Sequence, residues 1–255
     1  MIQRTIITSL LCLLVVNCAE KTALSFQQQT FSEQELAECE TTACPEIRLN
    51  YIEAKGKVSF ATEINDSVHQ FLIRALHIGD PDQPITATTV SEASKEFIDT
   101  YRMHLAEFPD MPAAYEVEAT ISESFQDEQY LSLETTQYTY TGGAHGYGST
   151  SFLLFDKETE TALRFKDVIS DWEAFQQFVE TEFRKQYEIP LQGAINANGF
   201  WFENDTFYIS ESIGLTEEGI LMIYNPYEIA SYAEGAITLE LPWKDLQPYI
   251  SRSSL

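Results

Sequence analysis

Gln137-Tyr138-Thr139-Tyr140-Thr141-Gly142-Gly143-Ala144-His145-Gly146-Tyr147-Gly148-Ser149-Thr150 is the stretch on which the reading of this chain turns. Four of its fourteen residues are glycine, and strand chemistry lies on both sides, over 130–141 and 149–155. Glycine is used where the backbone takes positive φ or comes close to another group. The stretch is therefore a bare crossing between two strands. His145 is its only side chain that titrates near neutral pH, and the small residues around it leave it easy to approach. Two readings stand: a candidate site, or a glycine-rich hairpin whose histidine hydrogen-bonds only its own loop.

Working outward, residues 115–122 alternate Tyr115, Val117, Ala119 and Ile121 with Glu116, Glu118, Thr120 and Ser122, which predicts an antiparallel strand with one wet face. With 130–141 and 149–155 this makes a meander with His145 at one end. Turns are expected at 126–128 and 156–159. Upstream, 45–56 alternates Ile47, Leu49 and Tyr51 with polar residues and ends on Gly56, a half-buried strand. Ile64, Val68, Phe71, Leu72, Ala75 and Leu76 fall at helical spacing over 63–78, and Gly79-Asp80-Pro81 stops that helix. A second helix is expected over 90–107, with Phe97, Ile98, Tyr101 and Leu105 on one face, ended by Phe108-Pro109-Asp110-Met111-Pro112.

Downstream, Trp172, Phe175, Phe178, Val179 and Phe183 define a third helix over 171–187, capped by Ser170 or Asp171. Strands follow at 205–210, 219–224 and 236–241, with a short closing helix at 243–250. Pro226 cannot continue a ladder, so 225–235 must leave the sheet. The fold class is α+β: an antiparallel meander packed by about three helices.

The N-terminus points to export. Arg4 precedes an apolar run over 6–16, eleven residues, too short to span a bilayer as a helix but of signal-peptide length. Val15-Val16-Asn17-Cys18 then looks like a bacterial lipobox, with Cys18 acylated (a palmitate anchor) and residues 1–17 removed. An ordinary secretory signal and an uncleaved anchor are the alternatives. Residues 18–43, with Gln27-Gln28-Gln29, read as a flexible tether. Cys39 and Cys44 are the remaining cysteines, and a small disulfide loop or a two-thiolate metal site are the two readings of the pair. The chain carries 15 basic and 40 acidic residues, a formal charge of -25. That field repels nucleic acid and anionic lipid, and attracts basic proteins.

At Tyr138–Gly146, and again at Tyr224-Asn225-Pro226-Tyr227-Glu228-Ile229-Ala230 and Tyr232-Ala233-Glu234-Gly235, the sequence resembles the paired domains of unknown function in RsiV-type anti-sigma factors and PdaC-type peptidoglycan deacetylases. The resemblance covers about residues 44–250. It implies a PdaC-type sub-domain over 44–125 and an RsiV-type sub-domain over 126–255. In RsiV-type proteins this module faces outward and binds lysozyme; in PdaC-type proteins it precedes a separate deacetylase domain. The four histidines here form no His-x-x-x-His pair, so the deacetylase metal set is not carried.

The expectation is a cell-envelope lipoprotein, monomeric, held to the membrane by lipid alone. It acts as a binding module for a lysozyme-like basic protein or for peptidoglycan, without cofactor, metal or catalytic residue. Its candidate binding residues are Tyr140, Gly142, Gly143, His145, Gly146, Tyr227 and Glu228. The alternative is a glycan hydrolase using paired carboxylates, with Glu228 the most specific candidate beside Asp205 and Glu211. His145, Tyr227 and Glu228 in one groove would favour a site.

Overall fold

The computed structural model describes residues 23–79, 84–110 and 114–250. The signal segment 1–17, Cys18 and the stops expected at Asp80-Pro81 and Met111-Pro112 lie outside the described residues. Six strands form the main sheet, in the order of the chain: β1 (Ser25–Ser32), β2 (Glu46–Lys55), β3 (Glu116–Gln126), β4 (Tyr130–Tyr140), β5 (Tyr147–Asp156) and β6 (Thr161–Leu163).

Two helices, α1 (Val58–Leu76) and α2 (Val90–Glu107), link β2 to β3. Such a crossover returns the chain to the end it left, so β2 and β3 pair in parallel, an exception to the antiparallel sheet expected. The other pairs are antiparallel, and β3 to β6 run as a meander. The apolar stripe of α1 is buried as its spacing predicts, and the helix starts at Val58 because Phe60 and Ala61 extend the stripe by a turn. α2 opens on a capping box: Thr89 Oγ1 accepts from Glu92 N at 3.1 Å, and Glu92 Oε2 accepts from Thr89 N at 3.2 Å.

The tether expected over 18–43 is corrected from Ser25 onward. Strand β1 pairs along its whole length with β2, Ser25 opposite Lys55 and Ser32 opposite Arg48. Gln27 and Gln28 are exposed, half-buried Gln29 donates to Glu53 Oε2 at 3.0 Å, and Phe26 and Phe31 pack on the core. Two 3-10 turns follow, and Cys39 and Cys44 form a disulfide with Cα atoms 5.6 Å apart. Arg102 on α2 holds that loop through Glu38 O at 3.0 Å and Thr42 Oγ1 at 2.6 Å.

A second, three-stranded antiparallel sheet consists of β7 (Ser212–Leu215), β8 (Gly219–Tyr224) and β9 (Ile237–Pro242). The strand expected over 205–210 is therefore displaced to Ser212. Asn204 and Asp205 take left-handed conformations, and the Ser210 hydroxyl donates to Ile223 O at 2.6 Å, so a side chain occupies the place of a ladder rung. α3 (Trp172–Gln186) is capped by Asp171, whose carboxylate accepts from Ala174 N. The closing helix is only Trp243–Leu246; a turn follows, in which Tyr249 N donates to Leu246 O at 2.9 Å, and it brings Ile250 to bridge Ile169.

Two cores result. One lies between the main sheet and α1 and α2; the other gathers α3, the second sheet and the loops between them. Phe125, Tyr130 and Leu154 belong to the second core although they sit on main-sheet strands. Residues 125 and 126 both lie in β3, in the β3–β4 hairpin, so the sub-domain boundary expected there falls inside one continuous sheet. Ser124 Oγ donates to Leu215 O at 2.9 Å and Ser132 Oγ accepts from Leu215 N at 3.2 Å, stitching β7 onto the main sheet.

Candidate functional site

The register Thr139 opposite Tyr147 places residues 141–146 at the tip of the β4–β5 hairpin. Gly142 and Gly143 both have positive φ, at 96° and 94°, a conformation that side chains resist. The Tyr140 hydroxyl donates to Gly143 O at 3.2 Å across the tip. Gly146 is constrained differently: a Cβ there would lie 2.4 Å from the Tyr138 ring, so only glycine lets that tyrosine lie flat under the loop.

His145 leaves the tip toward the second sheet. Its Nδ1 is 2.9 Å from Gly146 O, and a carbonyl only accepts, so Nδ1 carries the proton of the neutral ring. Nε2 is then the acceptor, 3.3 Å from the Tyr227 hydroxyl. The imidazole stacks on Tyr232 with centroids 3.9 Å apart and planes 18° apart, and Tyr232 donates to Gly146 O at 3.1 Å. Tyr227 completes the corner, 5.5 Å from Tyr232 and 53% exposed. Its φ of 71° is costly for a tyrosine and persists because the turn around it is fixed.

Asn225 does much of that fixing. Its side chain accepts from Thr150 N at 2.8 Å and donates to Thr150 O at 3.1 Å and to Ser212 Oγ at 3.0 Å. One amide thus imitates a strand rung on the outer edge of β5. Glu228 Oε2 accepts from Asn225 N at 2.9 Å, while Oε1 faces Ser210 Oγ at 3.3 Å and the Tyr208 hydroxyl at 3.4 Å. Burial pushes the Glu228 carboxyl up, against the pull of those donors. Burial and the Glu228 charge push Tyr208 up to about 12, and burial with the same charge also raises Tyr147.

Of the residues named from sequence, His145, Gly146 and Tyr227 meet at this corner, while Tyr140, Gly142 and Gly143 form the adjoining hairpin tip. Glu228 sits behind the turn, tied to Asn225, Ser210 and Tyr208. Asp205 accepts from Asn196 N at 3.0 Å in a local turn, and Glu211 is exposed. Sequence reasoning did not select Tyr232 or Asn225 for the site. The signal for both was their place in the quoted 224–235 stretch, where two tyrosines flank a turn that leaves the sheet.

Beyond the corner the open face of the main sheet continues the surface. Tyr138 stands opposite Glu118 and Tyr140 opposite Glu116. Arg48 is clasped by Glu46, Glu116 and Glu118, three carboxylates on one guanidinium. On the other side of Gly142 and Gly143 lies a cleft of about 680 Å³, lined also by His104, Phe108 and Tyr115. Among the described residues, no group of three or more His, Cys, Asp or Glu side chains could hold a metal ion.

Residues 38–147 match the family described as Deacetylase PdaC, and residues 165–244 match the Protein of unknown function family DUF3298. The two matches follow one another along the chain. A crystal structure of a DUF3298 family member from Bacteroides fragilis is similar over 91% of this chain and 95% of that one, with a TM-score of 0.67 at 21% identity. A DUF3298 family protein from Pseudomonas aeruginosa is similar over 90% and 94%, with a TM-score of 0.60 at 15% identity. At these identities the likeness establishes the fold. No curated protein matches the chain. The corner straddles the two matched segments: His145 closes the PdaC segment, whereas Tyr227 and Tyr232 belong to the DUF3298 segment.

Proposed function

We propose that this chain is a non-catalytic binding module of the bacterial cell envelope, anchored through Cys18, whose partner is a basic, wall-active protein of the lysozyme kind. The observation that supports this most is the exposed corner of His145, Tyr232 and Tyr227 beside the carboxylates around Arg48. Aromatic anchors with a charged rim are the chemistry of protein interfaces. A net charge of -25 steers a cationic partner to that rim and raises the encounter rate more than the final affinity. A wall glycan is the second reading, favoured by the near-parallel rings, on whose faces sugars stack.

Calorimetry of residues 19–255 with a c-type lysozyme and with soluble wall oligosaccharides, at low and physiological salt, tests both readings. Saturable lysozyme binding that persists at physiological salt is expected. Tyr232→Ala should weaken it at least tenfold, about 1.4 kcal/mol or more, as loss of an interface anchor does. Binding that vanishes at physiological salt, or is indifferent to Tyr232→Ala, would overturn the protein reading. Oligosaccharide binding sensitive to the same substitution would transfer the corner to glycans.

A further inference from the structure

We propose that β1 is a self-association edge, and that its partner is β1 of a second copy of this chain, paired antiparallel about a twofold axis through Gln28. Among the described residues, strand β1 hydrogen-bonds to β2 on one side and ends the six-stranded sheet on the other. Every second residue of such a strand turns its N–H and C=O outward, a template for another strand. Proteins blunt such edges with charge, proline or brevity, and the other outer strands here are blunted in those ways. β6 has three residues, β7 has four, and β9 carries Glu240 and Pro242. β1 has eight residues, Ser-Phe-Gln-Gln-Gln-Thr-Phe-Ser, without charge, proline or glycine, in a chain of net charge -25.

The sequence of β1 also suits its own copy. Opposed residues in an antiparallel pair must face the same way, so a twofold axis within an already paired strand passes through a residue. With the axis at Gln28, that residue meets itself and Gln27 meets Gln29, giving three successive glutamine pairs. Each amide carries both donor and acceptor, so like pairs with like; Gln29 Nε2 donates one N–H to Glu53 Oε2 at 3.0 Å and keeps its second N–H and its carbonyl oxygen for that pair. Phe26 then lies opposite Thr30, and Phe31 opposite Ser25. The observed β1–β2 register places Glu53 in the row of Gln27, and that row continues in the second copy through Gln29 to Tyr51. Lys55, in the row of Ser25, continues through Phe31 to Leu49. No row sets like charges against each other. This assembly replaces the monomer expected from sequence, and does not involve the His145 corner.

The test is sedimentation velocity over a concentration series on residues 19–255, which include every described residue. A reversible dimer is expected, tightening as salt rises because the two copies share a net negative charge. Lysozyme docking would weaken with salt, so the two proposals succeed or fail separately. Gln28→Lys, which brings two ammonium groups to the axis, should weaken the dimer at least tenfold and leave the circular dichroism spectrum unchanged. Gln28→Cys should give an interchain disulfide under mild oxidation, and Thr30→Cys, whose copies are offset along the strands, should not. A chain that stays monomeric at all salts, or one that cross-links as well through position 30 as through 28, overturns the proposal.

Discussion

The two cores of this molecule are built by different means. Around α1 and α2 the first core is made of long regular elements whose apolar residues recur at one period. Around α3 the second is made of rings meeting at many angles: Phe183 alone lies within 6 Å of Tyr187, Phe200, Phe202, Phe207 and Tyr224. Its loops are held by single side chains, such as Asn196 bonded to Phe202 N and O, and Ser210 to Ile223 O. Periodic elements spread their stabilisation over many equivalent residues. Convergent rings and single clips concentrate it, so a few substitutions should have large effects in the second half and modest ones in the first.

The hardest test of that contrast is Phe183→Ala, which opens a cavity at the convergence of rings. It should cost about 3–5 kcal/mol, the usual range for a buried Phe→Ala. Urea unfolding followed by tryptophan fluorescence measures it, and a loss below about 1 kcal/mol would show that the ring cluster yields readily. Asn225→Ala comes next, at about 2–4 kcal/mol, because it orphans Thr150 N–H and C=O together. Hydrogen exchange should then show faster exchange at Thr150 and around 145–150, with α1 still protected. Uniform exchange across both halves would mean that the clip belongs to one cooperative unit.

Smaller effects sharpen the picture on the other side. Replacing Cys39 and Cys44 with serine opens a loop of sequence separation 5, for which chain entropy gives about 2 kcal/mol. The loss should fall on the first half, around β1. Glu228→Gln is smaller and depends on pH. Burial raises the folded-state carboxyl pKa above the unfolded one, so the fold binds that proton more tightly. Wild-type stability relative to the variant should therefore fall as pH climbs through the unfolded and then the folded value. Urea midpoints of both proteins at about pH 4 and about pH 7 check the sign, and a difference independent of pH would refute it.

The same contrast explains what could be read in advance. α2 was legible to its ends because Phe97, Ile98 and Tyr101 keep its period and Phe108-Pro109 stops it. Strand β1 was hidden because three glutamines look like linker, and only pairing with β2 makes them strand. Residues 205–210 look like strand by composition, yet Asn204 and Asp205 turn left-handed, and the Ser210 hydroxyl takes the place of a backbone rung to β8. At the site, local chemistry pointed to His145 and Tyr227. That His145 meets Tyr227 and Tyr232 depends on contacts between residues more than 80 positions apart, and that Glu228 turns inward depends on Ser210 and Tyr208 reaching it from another segment, for which periodicity carries no signal.

The Asn225 clip also has a bearing on how this protein ages. Asparagine deamidates chiefly when the backbone nitrogen of the next residue attacks its side-chain amide, and the product, aspartate, has no donor for Thr150 O and would set a negative charge against it. Residue 226 is proline, whose nitrogen carries no hydrogen and cannot complete that attack. Asn198, followed by Gly199, has no such shield. Chemical wear in the second half should therefore begin in the loop at Asn198 and leave the clip beneath the Tyr–His corner intact.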